Sequence, residues 1–356
     1  MGRIASLTDF SFTPSSRLRV RQYASILSKS NLILHDFPRK YSSEIVGIEL
    51  NNRRIRESPY HIAESVLYEI LNVVNTFVRV QKSNKFDLVW LSRQLVIGSP
   101  TFEKNIFKPL IYDIDDAVFL NSSLSRRQVK ISAKKAEIVF AGNDYLADIM
   151  SNYNNNIKVI PTPIDTIKYA PIGNHAYDNK TGIFTIGWSG TSSSYKYFFK
   201  IELVLVNLIK KYKHVRIVFI SDKFPYELVR LAPYITFIKW TENKEARLIN
   251  KFNVGIMPID NDDYAKGKCA YKMLLYASCG IPVVVSLVGE NKTILRESEI
   301  GYGVLTESDW YSSLESLINS ENLSKKLGIN GRKYIEKKKS LVLWGGRVAR
   351  IFNDIV

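Results

Sequence analysis

The sequence predicts an α/β protein made of two parallel-sheet units in tandem. Three observations carry that reading. Short β-rich runs alternate with longer amphipathic stretches. The alternation stops over residues 161–182, which are turn-rich and poor in aliphatic side chains, and then restarts. The chain's 356 residues exceed one ordinary domain. Hydrophobic residues make up 46% and charged residues 24%, the composition of a folded chain.

In the first unit the strand candidates are Gly2–Leu7, Leu32–His35, Asp87–Leu91, Pro109–Asp113, Ile138–Ala141 and Lys158–Ile160. Helices are expected near 16–29, 60–80, 99–107, 122–136 and 143–153. Val66, Ile70, Val74, Phe77 and Val78 recur at helical spacing, and the stripe is expected to face the core. In the second unit the strands are Ile183–Gly187, Val215–Ser221, Ile235–Lys239, Val254–Pro258, Pro282–Ser286 and Gly303–Leu305. Helices are expected near 194–212, 243–252, 269–279, 290–298, 308–318, 321–337 and 341–354. The expected division is 1–168, a linker over 169–182, a second unit over 183–338, and a last segment, 339–356. Two such units imply a cleft, with ligands at the carboxyl ends of the strands.

Several classes fall away on composition. No run of about 18 consecutive apolar residues is present, so no transmembrane helix is expected. No signal-peptide core follows Met1. Two cysteines and four histidines give neither a disulfide framework nor a zinc set, so no metal is expected. A cytoplasmic protein is the expectation.

Fifty basic and 34 acidic residues leave a net charge of +16. That excess suits nucleic acid, an anionic membrane surface or an acidic small molecule. No helix-turn-helix, zinc or ribonucleoprotein motif accompanies it, so no nucleic-acid partner is expected. Arg17, Arg19 and Arg21 form one local run. Arg126, Arg127, Lys130, Lys134 and Lys135 form another, inside a segment (121–136) without acids. Such runs are either solvated faces or contacts for anionic lipid.

Four segments carry the chemistry. Lys266-Gly267-Lys268-Cys269-Ala270-Tyr271-Lys272 is a lysine-rich loop opening a short helix, and cations with free N–H groups at a helix start attract anions. Ile186-Gly187-Trp188-Ser189-Gly190-Thr191-Ser192-Ser193-Ser194-Tyr195-Lys196 is a strand, a Gly/Ser loop and a helix start, suited to a diphosphate. Thr13-Pro14-Ser15-Ser16-Arg17-Leu18-Arg19 places hydroxyls and guanidiniums where a phosphate could rest, or Ser15 merely caps a helix. Asp113, Asp115 and Asp116 follow a strand. Three neighbouring acids raise one another's pKa, which leaves room for one to be protonated near neutral pH.

The lysine segment continues to Cys279-Gly280-Ile281-Pro282-Val283-Val284. Together they resemble the donor-binding region of family 4 (group 1) retaining glycosyltransferases, in the branch with Lys-Gly-Lys-Cys-x-x-Lys and Pro-Ser-Ser-Arg-x-Arg motifs. The resemblance implies the GT-B fold: two Rossmann-like domains facing a cleft, with a C-terminal helix from Trp344 crossing back to the first. It implies a metal-independent, retaining transferase, using no cofactor. The donor is a nucleotide-diphosphate sugar held by the second domain, and the acceptor a glycan or lipid-diphosphate-linked glycan held by the first. The setting implied is surface polysaccharide or glycoconjugate biosynthesis, peripheral on the cytosolic face of a membrane.

Residue by residue, the resemblance implies a catalytic set of Asp115, Asp116 and Lys272. Gly187, Ser189, Gly190, Ser192, Lys196, Lys266, Lys268, Tyr271, Gly289, Glu290 and Asn291 would bind donor. Ser15, Ser16, Arg17, Arg19, Arg93 and Asn143 would bind acceptor or phosphate. Two positions depart from the family pattern. Leu275 stands where an acid commonly grips the donor ribose, and Trp188 where an arginine contacts phosphate. These departures keep open a second reading, a catalytically inactive GT-B protein that binds nucleotide or glycan as a scaffold.

Overall fold

Parallel strands buried on both faces read as near-continuous apolar runs, and all twelve expected strands form. The computed structural model describes residues 1–11, 13–40, 59–95, 102–173 and 182–356, without the side chains of 59–66, 68 and 69. One sheet holds β1 (Gly2–Thr8), β2 (Leu32–Pro38), β3 (Leu88–Ser92), β4 (Leu110–Ile114), β5 (Ile138–Ala141) and β6 (Ile157–Val159). Their order is β2-β1-β3-β4-β5-β6, every neighbouring pair parallel.

Helix α1 (Ala24–Lys29) links β1 to β2, α2 (Pro59–Ser83) links β2 to β3, and α3 (Ser123–Lys135) links β4 to β5. Helix α4 (Asp144–Met150) links β5 to β6. The helix expected over 16–29 breaks into a π turn, Ser16–Val20, a 3-10 turn, Arg21–Tyr23, and α1. Arg19 enters the core from that wide turn. The helix expected over 99–107 appears as a 3-10 turn, Phe102–Asn105, its first residues lying outside the described ones.

Helix α2 overturns the expected core stripe. Ile70, Val74, Phe77 and Val78 are exposed, as are Leu67 and Leu71, whereas Asn72, Thr76, Arg79, Val80 and Ser83 are buried. The Val66 side chain lies outside the described ones. Arg79 gives the physical reason. Its Nε donates to the Phe37 carbonyl at 2.8 Å and its Nη2 to the Thr8 carbonyl at 2.6 Å, at the carboxyl ends of β2 and β1. Rolling the helix over would strip a buried guanidinium of both acceptors.

The second sheet holds β7 (Phe184–Ser189), β8 (Val215–Ser221), β9 (Ile235–Lys239), β10 (Val254–Met257), β11 (Val283–Ser286) and β12 (Gly301–Val304). Their order is β12-β11-β10-β7-β8-β9, again all parallel. The helices are α5 (Glu202–Lys211), α6 (Glu242–Ile249), α7 (Tyr271–Ser278), α8 (Gly289–Glu297), α9 (Glu307–Asn319) and α10 (Glu321–Tyr334). One core contains Ile186, Phe219, Leu205 and Leu314; a second contains Ile220, Phe252, Met273 and Tyr276.

The chain divides into a unit of Met1–Thr162 with Trp344–Val356 and a unit of Pro163–Leu343. The first boundary thus falls earlier than the expected 168, because Ile164 is already buried in the second unit's core, its N–H on the Lys339 carbonyl at 2.9 Å; Tyr169 follows it there, its hydroxyl donating to Glu245 at 2.6 Å. Residues 174–181 of the expected linker lie outside the described ones. The last helix, α11 (Leu341–Asn353), joins the first unit from Trp344. Its Phe352 stacks on Phe140 at 6.0 Å and meets Trp90 edge-on at 5.0 Å.

Glu103 is fully buried in the first unit. Burial pushes its carboxyl up to about 7, against backbone N–H groups that lower it. A carboxyl raised in the folded state contributes stability below its unfolded pKa and loses it as pH rises through the folded value. Wild type should therefore lose stability between about pH 4.5 and 7, by on the order of 3 kcal/mol from this group. Glu103→Gln should remove that share of the slope. Chemical denaturation at several pH values checks it, and a pH-independent difference between the two proteins would contradict it.

Candidate functional site

In a doubly wound sheet the ligand crevice opens at the carboxyl ends of the strands where the order reverses. In the second unit that point lies between β7 and β10. Gly190 follows β7 directly, and the chain after β10 leads through a one-turn helix, Asp263–Lys266, to α7. These segments meet. A Cβ built on Gly190 would lie 2.6 Å from Cε of Lys272 and 2.5 Å from Cζ2 of Trp188. Only glycine lets the lysine stem cross there. Lys272 Nζ sits 5.9 Å from the centroid of the Trp188 ring. Trp188 itself is buried among Tyr195, Phe198 and Phe219, at centroid distances of 5.4, 5.4 and 5.1 Å.

A second glycine approach stands on the other side of the same loop. Gly289, with φ +52°, would place a Cβ 2.9 Å from Cα of Lys266. The sequence-predicted residues Gly190, Lys266, Lys268, Tyr271, Lys272 and Gly289 therefore belong to one local assembly of the second unit. Lys266 Nζ pairs with Asp263 at 2.8 Å, and Lys268 Nζ lies 4.9 Å from the Tyr264 ring centroid. Ala270 adopts the left-handed conformation (φ 53°) just before α7, whose first amides have no acceptor within the helix.

Other donor residues are committed elsewhere. The Ser189 N–H donates to the Tyr276 hydroxyl at 2.8 Å and the Gly190 N–H to the Ile220 carbonyl at 3.1 Å. Ser192 gives its N–H to Asp222 Oδ1 at 2.6 Å and its hydroxyl to Asp222 Oδ2 at 2.9 Å. A carboxylate therefore holds the start of the 3-10 turn, Ser192–Phe198, where the sequence suggested a bound phosphate. Burial raises the Asp222 pKa, but the Ser192 hydrogen bonds outweigh it and keep it below the usual carboxylate range. Gly187 lies within β7, where a Cβ would meet the Phe252 ring at 2.1 Å. Lys196 Nζ stands 5.1 Å from the Tyr197 ring centroid. Glu290 is buried in an ion pair with Lys339 at 2.9 Å. Asn291 is buried with its amide on the Ser286 carbonyl at 3.0 Å. Leu275 is a core residue.

Sequence reasoning missed Asp222, Tyr276 and Glu245. Glu245 is buried and accepts from Tyr169, from Trp240 Nε1 at 2.8 Å and from Ser189 Oγ at 3.5 Å. The signal for Asp222 was an acid directly after a strand. For the other two there was none.

In the first unit the order reverses between β1 and β3. Arg93 follows β3 in the left-handed conformation (φ 60°), its N–H on the Asp113 carbonyl at 2.8 Å. Its guanidinium grips Asp115 through Nε at 2.6 Å and Nη2 at 3.1 Å, and reaches Asp116 at 3.1 Å. Burial alone would raise the Asp115 pKa, but the Arg93 charge and hydrogen bonds hold it below the usual carboxylate range. The acid with a raised pKa is Asp113, pushed up to about 6 by burial against the pull of Arg19. Mutual repulsion among the three acids is therefore not the main influence on these values: burial and Arg19 set that of Asp113, and Asp115 shares Arg93 with Asp116.

Arg19 is not available to a phosphate. It is buried, paired with Asp113 at 2.8 Å, and donates to the Ile160 carbonyl at 2.6 Å and the Thr162 hydroxyl at 3.3 Å. Ser16 is buried with its hydroxyl 2.8 Å from that of Thr13. Ser15 is buried and makes no side-chain cap bond. Arg17 is half-buried on the same turn. Asn143 caps α4 by accepting the Leu146 N–H at 2.9 Å.

No protein-family model matches the chain, and no curated protein does. Solved structures resemble it over its whole length. Sucrose-phosphate synthase from Thermosynechococcus elongatus has a TM-score of 0.72 at 13% identity, covering 100% of this chain and 99% of its own. A glycosyltransferase from Rickettsia africae has a TM-score of 0.69 at 14% identity, covering 99% and 98%. Anabaena HepE, solved with UDP-glucose, has a TM-score of 0.68 at 12% identity, covering 99% and 100%. Likeness at such identity is a likeness of fold. This chain has the GT-B fold.

The Arg19–Asp113 pair is structural, and removing one partner leaves the other charge buried. Arg19→Ala should cost about 3–5 kcal/mol of stability. Denaturant unfolding checks this; a loss under about 1 kcal/mol would mean the pair is solvated.

Proposed function

We propose that this protein is a metal-independent, retaining glycosyltransferase moving a sugar from a nucleoside-diphosphate sugar to a glycan or lipid-diphosphate-linked acceptor. The observation that carries the reading is the passage of Lys272 over Gly190, at the carboxyl end of β7 and the start of α7. As the bond from the sugar's anomeric carbon to the diphosphate breaks, negative charge gathers on the leaving oxygens. A lysine held in place, with the first amides of a helix beside it, stabilises that charge without reorganising. Lys268 supplies further positive charge on the preceding loop, whereas Lys266 is paired with Asp263. The UDP-glucose in Anabaena HepE, a protein of like fold, supports a nucleotide sugar as the donor.

The first unit supplies the acceptor side. Asp115, kept ionised by Arg93, suits accepting hydrogen bonds from sugar hydroxyls and not proton donation. Retention follows from the resemblance to family 4. The acceptor hydroxyl's proton goes to the leaving phosphate, so no side-chain base is required.

Two observations favour a second reading, nucleotide binding without turnover. Leu275 is buried in the core where the family places a ribose-binding acid, and Asp222 occupies the start of the Gly/Ser-loop helix.

A thermal-shift screen of UDP-, GDP- and dTDP-sugars, followed by transfer assays with the best donor, separates these readings. One donor class should raise the melting temperature of wild type. Lys272→Ala should abolish most of that shift and slow transfer by about 10²–10³-fold. Equal shift and equal rate in the variant would sink the lysine's role. Stabilisation without any release of sugar would favour the second reading.

A further inference from the structure

Helix α2 is built inside out, and no residue of its outer face is among those assigned to donor or acceptor. Leu67, Ile70, Leu71, Val74, Phe77 and Val78 lie on one helical face and are exposed, three of them by more than half. The opposite face buries Asn72, Thr76 and Arg79. The arrangement is fixed, because Arg79 is tied to the carboxyl ends of β1 and β2. Exposed apolar surface of this extent marks an interaction site.

Positive charge surrounds it. Helices α2 and α3 both cross the sheet in the same direction, from β2 to β3 and from β4 to β5, so right-handed crossovers put them on one face. The Phe102–Asn105 turn packs against both, and Phe77 meets Phe102 at 6.1 Å. Arg126, Arg127, Lys130, Lys134 and Lys135 are all exposed on α3, with no acid in the segment 121–136. Lys82 and Lys85 are exposed just past the apolar stripe. There Asn84 holds the Phe107 N–H at 2.8 Å, which presents an exposed Phe107 between the exposed Lys104 and Lys108.

We propose that this face of the first unit docks on an anionic lipid surface, with the outer side of α2 entering the headgroup boundary and the α3 cations meeting phosphates. A second copy of the chain fits less well, because it would bring like-charged ridges together. Among the described residues no helix is long and apolar enough to cross a membrane, and the polar inner face of α2 agrees with a helix lying on the surface. The docking is independent of the transfer reaction and stands or falls separately.

The test is co-sedimentation of the full chain with phosphatidylcholine vesicles, with and without phosphatidylglycerol, at low and high salt. Wild type should pellet with the anionic vesicles, less so at high salt. Val74→Asp with Phe77→Asp should weaken binding by at least about tenfold, and Arg127→Glu with Lys130→Glu should weaken it similarly and flatten the salt dependence. All four side chains are exposed, so melting temperatures should stay near wild type; Val74→Ser with Phe77→Ser serves if the aspartates disturb folding. Failure of wild type to pellet at low salt, or unchanged binding by the α2 variants, overturns the proposal. So does a dimer in sedimentation velocity that the α2 variants abolish, since that assigns the face to a second copy.

Discussion

The second unit's site depends on two backbones coming close enough for a lysine to cross between them. Gly190 has no side chain, and the Lys272 stem occupies the place where one would project. Trp188 lies beneath, locked by three aromatic neighbours, so the ammonium rests near a rigid π face. Such a contact contributes on the order of 1 kcal/mol. Its larger effect is to restrict a flexible chain to few rotamers before any ligand arrives. An arginine at position 188 would add a cation; a tryptophan positions one already present. Trp188 thus has a physical role in this unit.

Charge in the first unit is organised in pairs along one strand end. Asp113 lies in β4 and Asp115 just past its last residue. Arg19 neutralises the deeper acid, and Arg93 holds the shallower one together with Asp116. The deep pair is sealed by Trp90 Nε1 at 3.2 Å from Asp113. The shallow cluster keeps part of its surface in solvent. One sequence motif of three acids therefore yields a structural half and a half able to meet a ligand, and burial decides which is which.

Much of the fold was legible because parallel strands declare themselves as short apolar runs, and Ile138–Ala141, Val215–Ser221 and Ile235–Lys239 match residue for residue. The rotation of α2 was not legible, since it is set by Arg79 reaching carbonyls 42 and 71 residues away. An apolar stripe at helical spacing reads the same whether it meets a core or another surface. The lysine loop and Gly190 could be read from motif spacing. The use of the Gly/Ser loop's amides could not, because Ser192 is held by Asp222, 30 residues on, and Ser189 by Tyr276, 87 residues on. Motifs name residue types; long-range partners decide which of them remain for a ligand.

In the proposed function, lysine charge at the start of α7 holds a diphosphate on the second unit. Calorimetry comparing a nucleoside with its own diphosphate, on wild-type protein, tests this most directly. The diphosphate should bind about a hundredfold tighter or better, with an advantage that shrinks as salt rises. Equal affinities, or an advantage indifferent to salt, would contradict it.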